Sequence, residues 1–220
     1  MISVYGLVYY TLEYAKQSVQ SIVATAGEEL EINVIDSRSV RSDEILEWGK
    51  QAVADGQITR FIQASTNCKG AGPVWAYKAF PPQDGNSDCD FIVITDLDVL
   101  AKPGWLQELK QGQADHLVTG FGLDKSNYVE PNFGYTEFGF GAWLEGININ
   151  LYNRYLGQYD HHQDSVLLQV AENNFFKSPL KLYHMGWDAW KDYPEYWEQK
   201  LESVDWMDSE PAIFTVYGKP

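Results

Sequence analysis

Two aspartates one residue apart, Asp96 and Asp98, close the apolar run FIVIT. Side chains alternate faces in an extended segment, so both carboxylates would point the same way with Cα atoms about 6.6 Å apart, while Leu97 turns into the packing. Carboxylates so placed can share a metal ion, or divide a metal and a ribose hydroxyl between them. Like charges this close repel unless they are solvated, protonated or neutralised by a cation. Oxygen ligands favour Mg2+ or Mn2+ over Zn2+. The plainer alternative is a turn, because aspartate is common where a strand gives way to a loop. Far downstream, LYHMGWDAW carries His184. As an additional ligand its imidazole would tilt selectivity towards Mn2+; otherwise it is a hydrogen-bonded structural residue. Between these segments, GQYDHHQDSVL holds Asp160, His161, His162 and Asp164. A carboxylate at a helix start beside a substrate hydroxyl can act as a general base, and the same residues can equally form a solvated, capped helix entry.

The elements that must position these groups follow a regular order in the first half of the chain. ISVYGLV (2–8) clusters apolar β-formers, and TLEYAKQSVQSIVATA repeats apolar residues at helical intervals through Leu12, Ala15, Val19, Ile22 and Val23. EINVID then reads as a strand and SDEILEWGKQAVADG as a helix, with Ser42 as N-cap and Gly56 as stop. A third strand is expected at 58–64, followed by the loop NCKGAGP and a helix from Val74. FIVIT is the fourth strand, and Pro103 in KPGWLQELKQG opens the helix after it. This alternation predicts an α/β sheet, largely parallel at its start. Ligands of such sheets collect beyond the carboxyl ends of the strands, where Asp96 and Asp98 fall. The second half is less regular, with a Gly-rich aromatic stretch, FGYTEFGFGAW, and helices expected near INLYNRYLG and QDSVLLQVAENN.

The 220 residues, 45% of them hydrophobic, can build one substantial core, so one domain over 1–220 is the expectation. No apolar run reaches the ~18 residues of a membrane span, and the N-terminus lacks a signal-peptide pattern. Cys68 and Cys89 are too few for a disulfide framework and are not spaced as a zinc pair, which suits reduced thiols in a soluble, cytoplasmic protein. A net charge of −15 argues against nucleic acid as a partner. A phosphorylated ligand would need a divalent cation to invert the local charge.

Over nearly its whole length the chain resembles GT-A-fold glycosyltransferases, most closely the family-2 inverting group that uses nucleotide sugars. VIDSRS (34–39) is similar to the family's second strand ending in Asp then Ser, NCKGAGPVWAYKAF to its Asn-Gly loop and helix, and VITDLDVLAKPGWL to its D-x-D strand and following helix. GQYDHHQDSVLLQVAE resembles its G-G-F-D-E…E-D block, and HMGW its late histidine segment. The resemblance implies a Rossmann-like three-layer α/β/α sandwich with a mostly parallel central sheet. It also implies transfer of a sugar from a nucleoside diphosphate sugar, UDP first among the candidates, to a hydroxyl of a glycan or other acceptor. Asp36 would then contact the nucleotide base, with Ser37 and the loop around Asn67 to Gly72, Gly70 included, helping to shape that pocket; Asp96 would contact ribose or metal, Asp98 and His184 would hold Mn2+ or Mg2+, and Asp164 would be the base.

The chain departs from that pattern in two places. Gln158, Tyr159 and Gln163 stand where the family has Gly, Phe and Glu, which leaves His162 or Asp160 as substitutes for the base. The first strand ends in VYYTLEY without the usual Asn, so Tyr9, Tyr10 and Thr11 would line the base pocket by another chemistry. HMGWDAWKDYPEYW gathers Trp187, Trp190, Tyr193, Tyr196 and Trp197, aromatic faces suited to stacking on an acceptor sugar or to packing a C-terminal helix. Retaining transfer and carbohydrate binding without catalysis remain alternatives. A nucleotidyltransferase does not, because no Gly-rich, Arg-containing loop follows the first strand.

Overall fold

The computed structural model describes residues 1–68, 72–82, 91–113, 118–123, 144–148, 175–185, Asp192, Tyr193, Glu195 and 212–219. In chain order these form β1 (Ile2–Val8), α1 (Leu12–Ala26), β2 (Leu30–Asp36), α2 (Ser42–Ala54), β3 (Arg60–Ala64), α3 (Gly72–Ala79) and β4 (Phe91–Asp96). There follow β5 (Val99–Leu100), α4 (Trp105–Gln113), β6 (Val118–Leu123), β7 (Leu144–Asn148), β8 (Phe175–His184) and β9 (Phe214–Gly218). The sheet runs β5-β8-β6-β7-β4-β1-β2-β3-β9. Its middle, β4-β1-β2-β3, is parallel throughout, as the alternation predicts. Beyond it β9 and β7 pair antiparallel with β3 and β4.

Period-two alternation sorts the strand residues between two apolar layers. Val4, Val8, Ile32, Val34, Phe61 and Val93 pack against α1, α2 and α4 through Leu12, Val19, Ile22, Ile45, Trp105 and Leu109. Tyr5, Leu7, Ile35, Ile62, Ile92 and Ile94 pack on the other face, against Trp75 and Ala76 of α3. The result is a three-layer α/β/α arrangement. Because α1 and α2 cross one face and α3 the other, the strand order reverses between β1 and β4. Such a switch point opens a crevice at the carboxyl ends of the strands, where ligands of these sheets bind.

Several local expectations need correction. Val23 is 49% exposed, so the buried stripe of α1 runs through Leu12, Ala15, Ser18, Val19 and Ile22 instead. Ser42 is the first residue of α2 rather than its cap, because its hydroxyl is taken by the Ser39 N–H and by Asp36. Gly56 does follow the end of α2, with φ of 70° in the left-handed region that glycine tolerates. Pro103 lies in the turn before α4, which starts at Trp105 with Trp105 N–H donating to the Lys102 carbonyl. β6 to β9 were not expected as strands. The helices expected near INLYNRYLG and QDSVLLQVAENN lie outside the described residues. No helix among the described residues is long and apolar enough to cross a membrane.

Candidate active site

The acid pair does not continue one extended strand. β4 ends at Asp96, the chain turns through Leu97 and Asp98, and it resumes as β5. The turn has a structural consequence: it detaches Asp98 from the ladder with β1 and hands it to a different neighbour. β5 pairs antiparallel with the end of β8, Val99 opposite His184 and Leu100 opposite Tyr183. The Met185 N–H donates to the Asp98 carbonyl at 2.6 Å, closing that junction. Two segments far apart in sequence therefore meet, and His184 Nε2 lies 3.2 Å from Asp98 Oδ1.

This spacing fits a shared cation as well as a direct contact. Neighbouring ligands on an octahedral ion with bonds of ~2.1 Å sit about 3 Å apart. Asp98 and His184 remain a pair, however: among the described residues no cluster of three His, Cys, Asp or Glu could hold an ion by protein groups alone. Mg2+-type sites commonly take one or two protein ligands and complete their shell with substrate phosphates and water. Asp96 sits in register with Leu7 of β1, at the switch point itself.

Asp36 ends β2 opposite Val8 and Gln63. It is fully buried, and its carboxylate is held by three donors: the Arg38 N–H at 3.1 Å and Ser42 Oγ at 3.0 Å on Oδ1, and Gln63 Nε2 at 3.2 Å on Oδ2. Burial raises its pKa above the usual carboxylate value, against the opposing effect of these donors. Its first task in this structure is to tie β2 to β3 and to the start of α2. Ser37 is likewise buried; its N–H donates to the Val8 carbonyl and its hydroxyl to Asn67 Oδ1 at 2.9 Å. Asn67 is thus drawn to the same edge. Cys68 beside it is buried, and desolvation pushes its thiol up to about 11, an inert packing residue.

Tyr9 and Tyr10 follow β1 directly. Tyr10 has φ of 68°, unusual for a bulky side chain. Its surroundings fix it there: its hydroxyl donates to Glu195 Oε1 at 2.7 Å, its ring meets Tyr193 edge-on, and the Arg41 guanidinium lies within 5.4 Å of both ring centres. Burial, and then Glu195, push the Tyr10 phenol up to about 12. Tyr14 donates to Asp192 in the same cluster. Sequence reading missed this clasp, which fastens Asp192, Tyr193 and Glu195 to the mouth of β1. Tyr9 packs partly buried beside Tyr10, Tyr14, Met185 and Leu100.

The structure therefore brings Asp98 to His184, and Ser37 to Asn67, at the carboxyl ends of the parallel strands. Gly70, Asp160, His162, Asp164, Trp187 and Trp190 lie outside the described residues.

No protein-family model and no curated protein sequence matches the chain. Solved structures do. Mannosyltransferase PcManGT from Pyrobaculum calidifontis, in complex with GDP-Man and Mn2+, superposes with a TM-score of 0.61 at 14% identity, over 96% of this chain and 65% of that one. S. aureus TarS 1-349 gives 0.56 at 15% identity over 95% and 67%. The same protein in complex with UDP gives 0.56 at 14% identity over 83% and 59%. The fold is GT-A. The expected sandwich is thus present, and the chain spans about two thirds of the length of the full-coverage matches. Asp98, which meets His184, lies two residues beyond Asp96, the end of β4 beside β1 where the sheet order reverses.

Proposed function

We propose that this chain is a metal-dependent glycosyltransferase that moves a sugar from a nucleoside diphosphate sugar to a hydroxyl of a glycan or other acceptor, with inversion at the sugar carbon. The observation that carries the reading is the 3.2 Å approach of His184 to Asp98 at the strand ends of a GT-A fold. The two groups would hold Mn2+ in preference to Mg2+, since one ligand is an imidazole. When bound, the cation stabilises the charge that develops on the departing diphosphate. UDP is the first donor nucleotide to test, with GDP second; the similar TarS and PcManGT structures hold UDP and GDP-Man respectively.

Each residue at the strand ends has a task in this reading. Asp96 accepts a hydrogen bond from the donor ribose or adds an oxygen to the cation. Tyr9, Ser37 and Asn67, with Gly70, line the nucleobase side, and buried Asp36 holds that wall in place through Ser42 and Gln63. Asp164 takes the proton of the acceptor hydroxyl as the oxygen forms its bond to the sugar carbon. The bond from that carbon to the diphosphate breaks and the nucleoside diphosphate leaves with the electron pair. Trp187 and Trp190 give the acceptor sugar a stacking face. A cytoplasmic site of action accords with the buried free thiol of Cys68.

Two substitutions test the assignment together. Asp98→Ala is expected to lose Mn2+ and donor binding together, whereas Asp164→Asn is expected to keep donor affinity and lose transfer. Wild-type turnover by Asp164→Asn would remove that residue as base. Unchanged donor affinity in Asp98→Ala would remove the cation site.

A further inference from the structure

A glycine in the middle of an apolar strand marks a place where something approaches the backbone closely. Gly6 is such a residue, at the centre of β1. A Cβ built there would stand 2.6 Å from Leu97 Cδ2, 2.8 Å from Cγ and 3.1 Å from Cδ1. Leu97, the residue between the two aspartates, is 3% exposed, and its N–H donates to the carbonyl of Leu7 at 2.8 Å. Its side chain thus sits in the notch that the missing Cβ leaves, while its backbone is pinned to the next residue of β1.

We propose that Gly6 is a positioning residue for the cation site: by seating Leu97 it fixes the turn from Asp96 to Asp98 and so sets the approach of Asp98 to His184. The inference rests on the reading of Asp98 and His184 as cation ligands. The chain of contacts is short and continuous. Leu97 anchors the turn on β1, the Asp98 carbonyl receives the Met185 N–H, and Val99 pairs with His184 in the β5–β8 ladder. Any side chain at position 6 must lift Leu97 by its branch carbon, not only by a flexible tip. The peptides on either side of Leu97 carry both carboxylates, so they turn with it. Displacement of a few tenths of an ångström at Asp98 exceeds the ~0.2 Å tolerance of metal–ligand distances in a formed site.

The test is a reciprocal pair of substitutions. Gly6→Ala is expected to weaken Mn2+ binding in the presence of UDP, read by electron paramagnetic resonance of the free ion, by about 10–100-fold, as for other groups that orient metal ligands. Leu97→Ala removes all three atoms that the new methyl would meet and leaves the bond from the residue 97 N–H to the Leu7 carbonyl to hold the turn, so the double variant Gly6→Ala with Leu97→Ala is expected to recover most of that affinity. A general loss of packing would make the double variant worse than either single one. Wild-type Mn2+ affinity in Gly6→Ala, or no recovery in the double variant, would overturn the proposal. A second readout needs no metal: the imidazole nitrogen resonances of His184 are expected to shift in Gly6→Ala and to return towards wild type in the double variant. Should wild type bind no Mn2+ at all, the cation reading falls by itself, and unmoved His184 resonances in Gly6→Ala would still sink the positioning role.

Discussion

The two ends of the parallel strands treat acidic residues in opposite ways. At the amino ends, Glu31 of β2 meets Arg60 of β3 at 3.2 Å, with side chains only 2% and 3% exposed. Ser3 donates to Glu31, and the same guanidinium reaches the carbonyls of Phe80, Pro81 and Lys219. The negative charge is matched by a fixed positive one, and that cation also staples the end of α3 and the end of β9 to the sheet. At the carboxyl ends, Asp36 is held by a hydroxyl, an amide and a backbone N–H, and Asp98 faces an imidazole that is cationic only when protonated. The amino end is electrostatically closed and serves stability; in the proposed reading the carboxyl end is where a cation binds.

Asp98→Asn presses hardest on this contrast. It keeps the shape of the turn and removes the charge, so metal-dependent transfer should fall on the order of 10³-fold, the several kcal/mol that a bound cation supplies. The thermal midpoint should stay near that of wild type. Next in size is Arg60→Met, which strands Glu31 in the interior. It should cost about 3–5 kcal/mol in urea denaturation, with nucleotide affinity intact in the fraction that folds. Exchange of those two outcomes, stability lost above and binding lost below, would break the comparison.

Asp36 offers a subtler test through pH. Its pKa is raised in the folded state, so the folded chain holds the proton more tightly than the unfolded one. Its contribution to stability is therefore fully present below the ordinary carboxylate value of about 3.9 and is lost as pH rises through the raised value. Relative to Asp36→Asn, wild type should lose stability across that window and level off above it. A difference in urea midpoint that does not change with pH would contradict the linkage. Smallest is Tyr10→Phe, which deletes the hydrogen bond to Glu195 and should cost about 0.5–1.5 kcal/mol. Amide hydrogen exchange at Asp192, Tyr193 and Glu195 should rise more than in β1.

These tests fall on features that the sequence disclosed unevenly. The β-α alternation of residues 2–54 could be read because strand and helix periods differ and each helix has one buried stripe. The same reading failed at Val23, where the stripe leaves the core, and at Ser42, whose hydroxyl prefers Asp36 to its own helix. β8 stayed hidden behind Pro179, which a strand interior accepts only at a sheet edge or a bulge. The ladder with β6 shifts register just there, between Phe121 and Gly122, and the bulge absorbs the proline. Gly6 left a signal that went unused, a lone glycine inside ISVYGLV. Asp98 and His184 were each visible as candidates, but their meeting depends on the two-residue strand β5, which no local pattern announces. Likewise Asp36 was legible as a strand-end acid, whereas its burial under three donors is a tertiary fact.

The central claim is that the carboxyl ends of these strands hold a nucleoside diphosphate through a cation. Calorimetric titration of UDP, GDP, dTDP and CDP into the intact chain, with Mn2+ and again with chelator, tests it most directly. One nucleoside diphosphate is expected to bind with Mn2+ and to lose that binding when the ion is removed. Absence of binding by all four in the presence of Mn2+, or binding that is indifferent to the ion, would contradict it.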